Sequence, residues 1–204
     1  MKNSWTGGSA ALNLEEVAEE NLALAVHRCV SGAFDRLVER FEGPLFNYAH
    51  GILQNAFDAQ DVVQDAMLRA HKALTKQYGE AQTETLVLRP WLFRMVRNLC
   101  LNKHRTKSRR REQPIEEFDD GRIGPFHTSP EVERREDAEL LRGAMAHLPV
   151  EARELIVLRF MEEMSYADMA KTVGTSEAAL RGKVFRSLKL LREALEKKGV
   201  AYAV

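Results

Sequence analysis

From Ser165 the chain reads SYADMAKTVGTSEAALRGKVFRSLKLLREAL. A short helix, a turn at Gly174-Thr175 and a long helix opening at Ser176 give the spacing of a helix-turn-helix unit. Leu180, Val184, Leu188, Leu191 and Leu195 form an apolar stripe on the long helix. At about 100° per residue, Arg181, Phe185, Arg186, Lys189 and Arg192 fall on the other side. A helix with such a basic outer face suits the DNA major groove. Arg181 and Arg186 can donate bidentate hydrogen bonds to guanine, and Phe185 can pack on a thymine methyl or the sugar. The plainer alternative is a solvated amphipathic helix, which the turn spacing disfavours.

A second basic patch, RPWLFRMVRNLCLNKHRTKSRRR, has a different character. Leu92, Met95, Val96 and Leu99 share one helical face. Arg94, Arg97, Asn98 and Arg105 share the other, followed by Lys107, Arg109, Arg110 and Arg111. Trp91 and Phe93 precede the positive run. Rings beside cations and an amide suit single-stranded or partly melted nucleic acid, because rings stack on bases and Asn can read a base edge. Trp91 as a plain core anchor is the competing reading.

The third feature is acidic. FDAQDVVQDAM spaces Asp58, Asp61 and Asp65 by three and four residues, with Gln64 beside Asp65. No local Lys or Arg is expected to pair with them. Such a face, with Val62, Met67 and Leu68 nearby, can dock a basic protein helix. No His or Cys stands at metal-ligand spacing in this helix, and no metal or cofactor is expected.

The elements that must carry these residues are helical. The i, i+3, i+4 spacing recurs, and no run of period-two alternation appears. Helices are expected near 14–30, 34–53, 58–74, 90–108, 137–147, 150–163, 166–173 and 176–197. Pro149 suits the first turn of its helix, and Ser165 with Asp168 reads as a capping box. Residues 75–88 read as a loop, and the Pro- and Gly-punctuated, acid-rich 112–136 as a flexible linker.

The chain has 204 residues and no net charge, yet the charge is segregated. Residues 1–88 net −5, 89–111 net +9, 112–137 net −6, 138–180 net −3 and 181–198 net +5. Two short basic patches therefore lie in an otherwise acidic chain. Two cysteines, Cys29 and Cys100, cannot make a disulfide framework, which points to a reducing cytosol. No signal peptide and no membrane span are readable. The fold class is all-α, divided as an N-terminal tail and helix start (1–19), a helical domain (20–111), the linker (112–136) and a helix-turn-helix domain (137–204).

In order, these parts resemble the bacterial extracytoplasmic-function (ECF) sigma factors of the sigma-70 family. The motifs concerned are the acidic DxxQD helix, the Trp-Leu helix reaching Asn98 and ending in Arg, the acidic linker and the helix-turn-helix. The resemblance implies a region 2 bundle over 20–111 and a region 4 unit over 137–204. It implies that Asp61, Gln64 and Asp65 meet core RNA polymerase at the β′ clamp helices, with the β flap a further contact. It assigns Trp91, Arg94, Arg97, Asn98, Asn102 and Arg105 to the −10 element, Asn98 lying beside a flipped-out base. Arg181, Gly182, Lys183, Phe185, Arg186 and Lys189 would read the −35 element. Implied partners are core RNA polymerase, promoter DNA and an anti-sigma factor, in the bacterial cytoplasm.

Two other classes compete. A stand-alone helix-turn-helix regulator needs a dimerisation element giving two half-sites, and no heptad or effector domain is evident. An enzyme is disfavoured because the six histidines are scattered and no nucleophile motif or Gly-rich phosphate loop appears.

Overall fold

The computed structural model describes residues 19–111 and 140–197, with side chains from Asn21 to Thr106 and over 140–197. The expected tail and linker lie outside the described residues, apart from the helix start at Glu19. Among the described residues, nine α-helices follow in order: α1 (Glu19–His27), α2 (Ala33–Leu53), α3 (Ala56–Lys72), α4 (Glu80–Glu84), α5 (Leu88–Arg111), α6 (140–146), α7 (Val150–Ile156), α8 (Tyr166–Val173) and α9 (Glu177–Glu196). π-helical turns extend α3 over Ala73–Gln77 and α7 over Val157–Met161. The described residues contain no strand.

Local chemistry sets the starts and stops. Asn55 caps α3 by accepting from the Asp58 backbone N–H at 2.9 Å. Ser165 and Asp168 form the expected capping interaction, with Ser165 Oγ accepting from the Asp168 N–H at 3.1 Å. Ser176 caps α9 through the Ala179 N–H. Such caps contribute about 1 kcal/mol each. Gly174 ends α8 at φ 79°, a left-handed conformation that lets the chain turn sharply into α9. Pro149 stands one step outside the expected first turn, at the N-cap of α7.

Residues 75–88 are not wholly a loop. Gly79 opens α4, and the buried Thr83 donates its hydroxyl to the Gly79 carbonyl at 3.0 Å. Glu80 of α4 pairs with Arg28 beyond α1. This helix is short and lacks an apolar repeat, so periodicity alone does not find it.

The two helical parts pack on one another. α2, α3 and α5 contribute Leu37, Leu45, Tyr48, Val63, Val96 and Cys100 to a core that continues into Leu155, Leu158, Met164, Met169, Leu180 and Val184. A smaller cluster of Ala144, Leu148, Ala152, Ile156, Leu191 and Leu195 joins α6, α7 and α9. Gly51 marks a close approach: a Cβ there would lie 2.7 Å from Val157 Cγ2. Cys100 is buried among these side chains, and burial pushes its thiol up to about 12. It acts as a small apolar residue.

Charged groups also cross between the parts. Glu162, buried after the second π turn, faces Arg89 of α5 at 3.6 Å. Burial raises its carboxyl from 4.5 to about 7, Arg89 offsetting part of the shift. A carboxyl raised on folding binds more protons in the native than in the unfolded state between these values. Stability therefore falls as pH rises through that window, and the loss is complete above it. Glu162→Gln is expected to raise stability by roughly 2 kcal/mol at pH 8, with the gain shrinking towards pH 5. Thermal melts of both chains at the two pH values check this, and an equal effect at both would remove the raised carboxyl.

Candidate interaction surfaces

α9 presents the residues expected of a groove-reading helix. Leu180, Val184, Leu191 and Leu195 are buried, as the apolar stripe requires. Leu188 is not: it is exposed, and Ser187 takes the buried place, its hydroxyl donating to the Lys183 carbonyl at 2.9 Å. Ser187 lies seven residues after Leu180, two turns along the same face, whereas Leu188 is about 100° further round. Outward stand Arg181, Arg186 and Lys189, with Phe185 72% exposed. Gly182 and Lys183 are half-buried. Arg181 lies over the Tyr166 ring at 4.5 Å, a cation–π contact that holds the guanidinium at the α8–α9 corner. Lys183 Nζ is 2.6 Å from Glu151 Oε1, so this lysine is engaged with α7.

On α5 the expected residues divide. Arg94, Asn98, Asn102 and Arg105 are exposed and follow the i, i+4, i+8, i+11 spacing of one helical stripe. Trp91 is half-buried, packs against the core and donates from Nε1 to Tyr78 Oη at 3.1 Å, the anchor geometry of the competing reading. Arg97 points away from the stripe. Its Nε donates to Glu154 Oε1 of α7 at 2.5 Å, and Tyr48 Oη donates to the same oxygen at 2.8 Å. Burial, and then the Glu154 carboxylate beside it, hold the Tyr48 phenol well above its ordinary value.

The acidic face of α3 exposes Asp61 and Gln64, with Asp65 half-exposed. The expectation that it lacks cationic neighbours is corrected. Lys103 of α5 reaches Asp58 at 2.9 Å and Asp61 at 3.1 Å, and Arg69, one turn on, makes paired 2.9 Å bonds to Asp65. Lys103 is brought in only by packing of α5 on α3. Arg69 stood four residues from Asp65 in the sequence, the spacing of a helical ion pair. Of the apolar neighbours, Val62 and Met67 are buried in the core, while Leu68 is 71% exposed. Phe57, one turn before Asp61 and 82% exposed, was not foreseen. A cavity of about 300 Å³ opens beside this face, lined by Phe34, Val38, Val63, Met67 and Leu68 with Glu42 and Gln64 at its polar edge. Acid and amide groups flanked by exposed apolar side chains fit a docking face for a basic amphipathic helix. The i−4 spacing of Phe57 from Asp61 was the available signal.

Among the described residues, no cluster of His, Cys, Asp and Glu could hold a metal ion, and no helix is long and apolar enough to cross a membrane.

The chain is similar to known proteins over most of its length. Residues 37–110 match the sigma-70 region 2 model, and residues 138–191 match the sigma-70 region 4 model. The ECF RNA polymerase sigma factor SigM of Mycobacterium tuberculosis is 29% identical over 155 residues, covering 76% of this chain and 73% of the relative. The RNA polymerase sigma-H factor of Pseudomonas aeruginosa is 26% identical over 191 residues, covering 90% and 96%. Among solved structures, CnrH in complex with the cytosolic domain of CnrY superposes with a TM-score of 0.63 at 25% identity, over 89% of this chain and 99% of that one. The sigma factor RpoE from Bartonella quintana, in complex with the anti-sigma factor NepR, shares the fold with a TM-score of 0.65 at 22% identity, over 81% and 98%.

Proposed function

The chain belongs to the ECF group of the sigma-70 family and binds RNA polymerase to direct promoter-specific initiation, and from that premise we propose how its surfaces divide the work. The acidic face of α3, with Asp61, Gln64 and Asp65, docks on the β′ clamp helices of core polymerase. The exposed α5 stripe of Arg94, Asn98, Asn102 and Arg105 takes the opened −10 strand, where an amide can hydrogen-bond a base edge. Trp91 anchors that helix. The outer face of α9, with Arg181, Phe185, Arg186 and Lys189, reads the −35 duplex. The protein supplies promoter choice and leaves the chemistry of RNA synthesis to the polymerase. It works in the bacterial cytoplasm and is held in check by an anti-sigma factor, a reading supported by the similarity to RpoE in its complex with the anti-sigma factor NepR.

The observation carrying this reading is the partition of one helical body into an acidic, apolar-flanked face on α3 and separate basic faces on α5 and α9. Polymerase docking and DNA binding demand opposite charge, and the chain keeps them on different helices.

The test is titration of sigma-free core polymerase with the full chain, followed by gel filtration. Asp61→Lys combined with Asp65→Lys is expected to weaken a one-to-one complex at least tenfold, because unlike charges become like charges across the interface. Asp61 is largely solvent-facing, Asp65 is half-exposed, and Asp58 remains for Lys103, so the melting temperature is expected to stay close to that of the unaltered chain. Unchanged affinity would remove the assignment of this face. A free dimer that shifts a palindromic duplex and ignores polymerase would favour a stand-alone regulator.

A further inference from the structure

Lys103 stands on α5 between Asn102 and Arg105 of the proposed −10 stripe, yet its side chain leaves that stripe. One residue past Asn102 is about 100° round the helix, which turns Lys103 towards α3. Its Nζ lies 2.9 Å from Asp58 Oδ1 and 3.1 Å from Asp61 Oδ2. The two carboxylates differ in setting. Asp58, in the first turn of α3, has 15% of its side chain exposed, whereas Asp61 has 71%. Burial opposes the charged amine, but hydrogen bonds to Asp58 and then Asp61 outweigh it and hold the amine above its ordinary value. The bridge therefore has an inner arm inside the fold and an outer arm on the face assigned to polymerase.

The outer arm works against docking. Asp58, Asp61 and Asp65 bring three negative charges to α3, and Lys103 with Arg69 returns two positive ones. A basic helix approaching Asp61 meets an ammonium group already seated on one of its oxygens. Like charges at that separation repel, and the repulsion grows as the closing interface expels water. An exposed ion pair is weak, so a partner cation can displace Lys103 from Asp61. The inner arm to Asp58 then keeps the amine close by, and its charge goes on opposing the partner.

We propose that Lys103 is an internal competitor for Asp61, tethered through Asp58, which holds the affinity for core polymerase below what the acidic face of α3 would give alone. The inference rests on the reading of that face proposed above. It also separates Lys103 from its neighbours on α5: this cation is spent on the protein face, not on promoter phosphates. A lysine that only clipped α5 to α3 would act on stability and leave polymerase affinity alone. A competitor acts on the charge met during encounter, so its signature is a salt-dependent association rate.

The experiment follows association and release of the full chain with sigma-free core polymerase at low and high salt. Lys103→Gln removes the charge and keeps a hydrogen-bond donor for Asp58. Lys103→Met keeps the apolar stem and repeats the charge removal should the amide disturb the fold, and Lys103→Arg retains the charge. Circular dichroism should show native helix content in all three. Lys103→Gln is expected to tighten binding about three- to tenfold at about 50 mM salt, chiefly through faster association. At about 500 mM the gain should shrink below roughly twofold, because screening then acts within a few ångströms. Lys103→Arg should stay within about twofold of the unaltered chain, since it leaves the cation in place. Asp61→Asn should cost more affinity in the Lys103→Gln background than in the unaltered chain, the coupling expected of two groups that share one interaction. Neutral variants that bind no tighter, or a gain that persists at high salt, would overturn the competition alone. A core polymerase that binds none of these chains would overturn the docking reading, and the competition with it.

Discussion

The affinity of the polymerase-bound protein for promoter DNA is expected to fall by about 10³ to 10⁴ between 50 and 200 mM salt if six to eight of its cations meet phosphates. Each duplex phosphate contact releases condensed counterions and adds about −0.9 to the slope of log affinity against log salt, with a shallower contribution from single strands. The structure says which cations are available. Arg181, Arg186 and Lys189 are exposed on α9, and Arg94 and Arg105 are exposed on α5. Arg97 and Lys183 are engaged with Glu154 and Glu151. Replacing Arg181, Arg186 and Lys189 together by alanine should flatten the slope by up to about 2.7 if each meets a phosphate. Any that reads a base edge would instead relax sequence preference at one position, at a cost of about 1–3 kcal/mol. Anisotropy titrations across a salt series measure both effects. An unchanged slope together with unchanged preference would take this face of α9 out of the interface.

Truncating Phe93 is expected to cost about 3–5 kcal/mol of stability, a large share of the 5–15 kcal/mol typical of a folded protein. Phe93 is fully buried, lies 5.2 Å from the Tyr48 ring and carries the Arg89 guanidinium 5.7 Å from its own centroid. Its ring therefore joins the α2–α5 packing to the contacts that reach the C-terminal part. Phe93→Ala would remove the aromatic area and leave a void that a rigid α5 cannot close, so the transfer and cavity contributions add. A chain of this size should lose roughly 6–20 °C in melting temperature. A loss below about 1 kcal/mol would mean that the ring is not a keystone of this core. Leu68→Ala, at an exposed position, should by contrast leave stability within about 0.5 kcal/mol.

These expectations differ in how far they could be drawn from the chain alone. Helix positions were legible because they follow from spacing within a turn or two. The i, i+3, i+4 repeat located α2, α3, α5, α8 and α9, while Ser165, Gly174 and Ser176 marked the helix-turn-helix by chemistry confined to a few residues. The outward face of α9 was legible for the same reason, with Ser187 and Leu188 exchanged because both lie near the edge of the apolar stripe. The acidic face of α3 was legible as charge, but its neutralisation by Lys103 was not, since 42 residues separate that lysine from Asp61.

The sequence by itself determined that the chain is helical, where its charges concentrate and which short unit has the spacing of a helix-turn-helix. Those properties arise from backbone hydrogen bonding and side-chain periodicity over a handful of neighbouring positions. Only the tertiary structure decided that Trp91 anchors α5, that Arg97 turns inward while Arg94 and Asn98 face out, and that Glu154 meets Tyr48, 106 positions away in the chain. Contacts at such separations depend on how apolar faces pack in three dimensions, and that packing decides which polar groups are carried into the interior and must find a partner there.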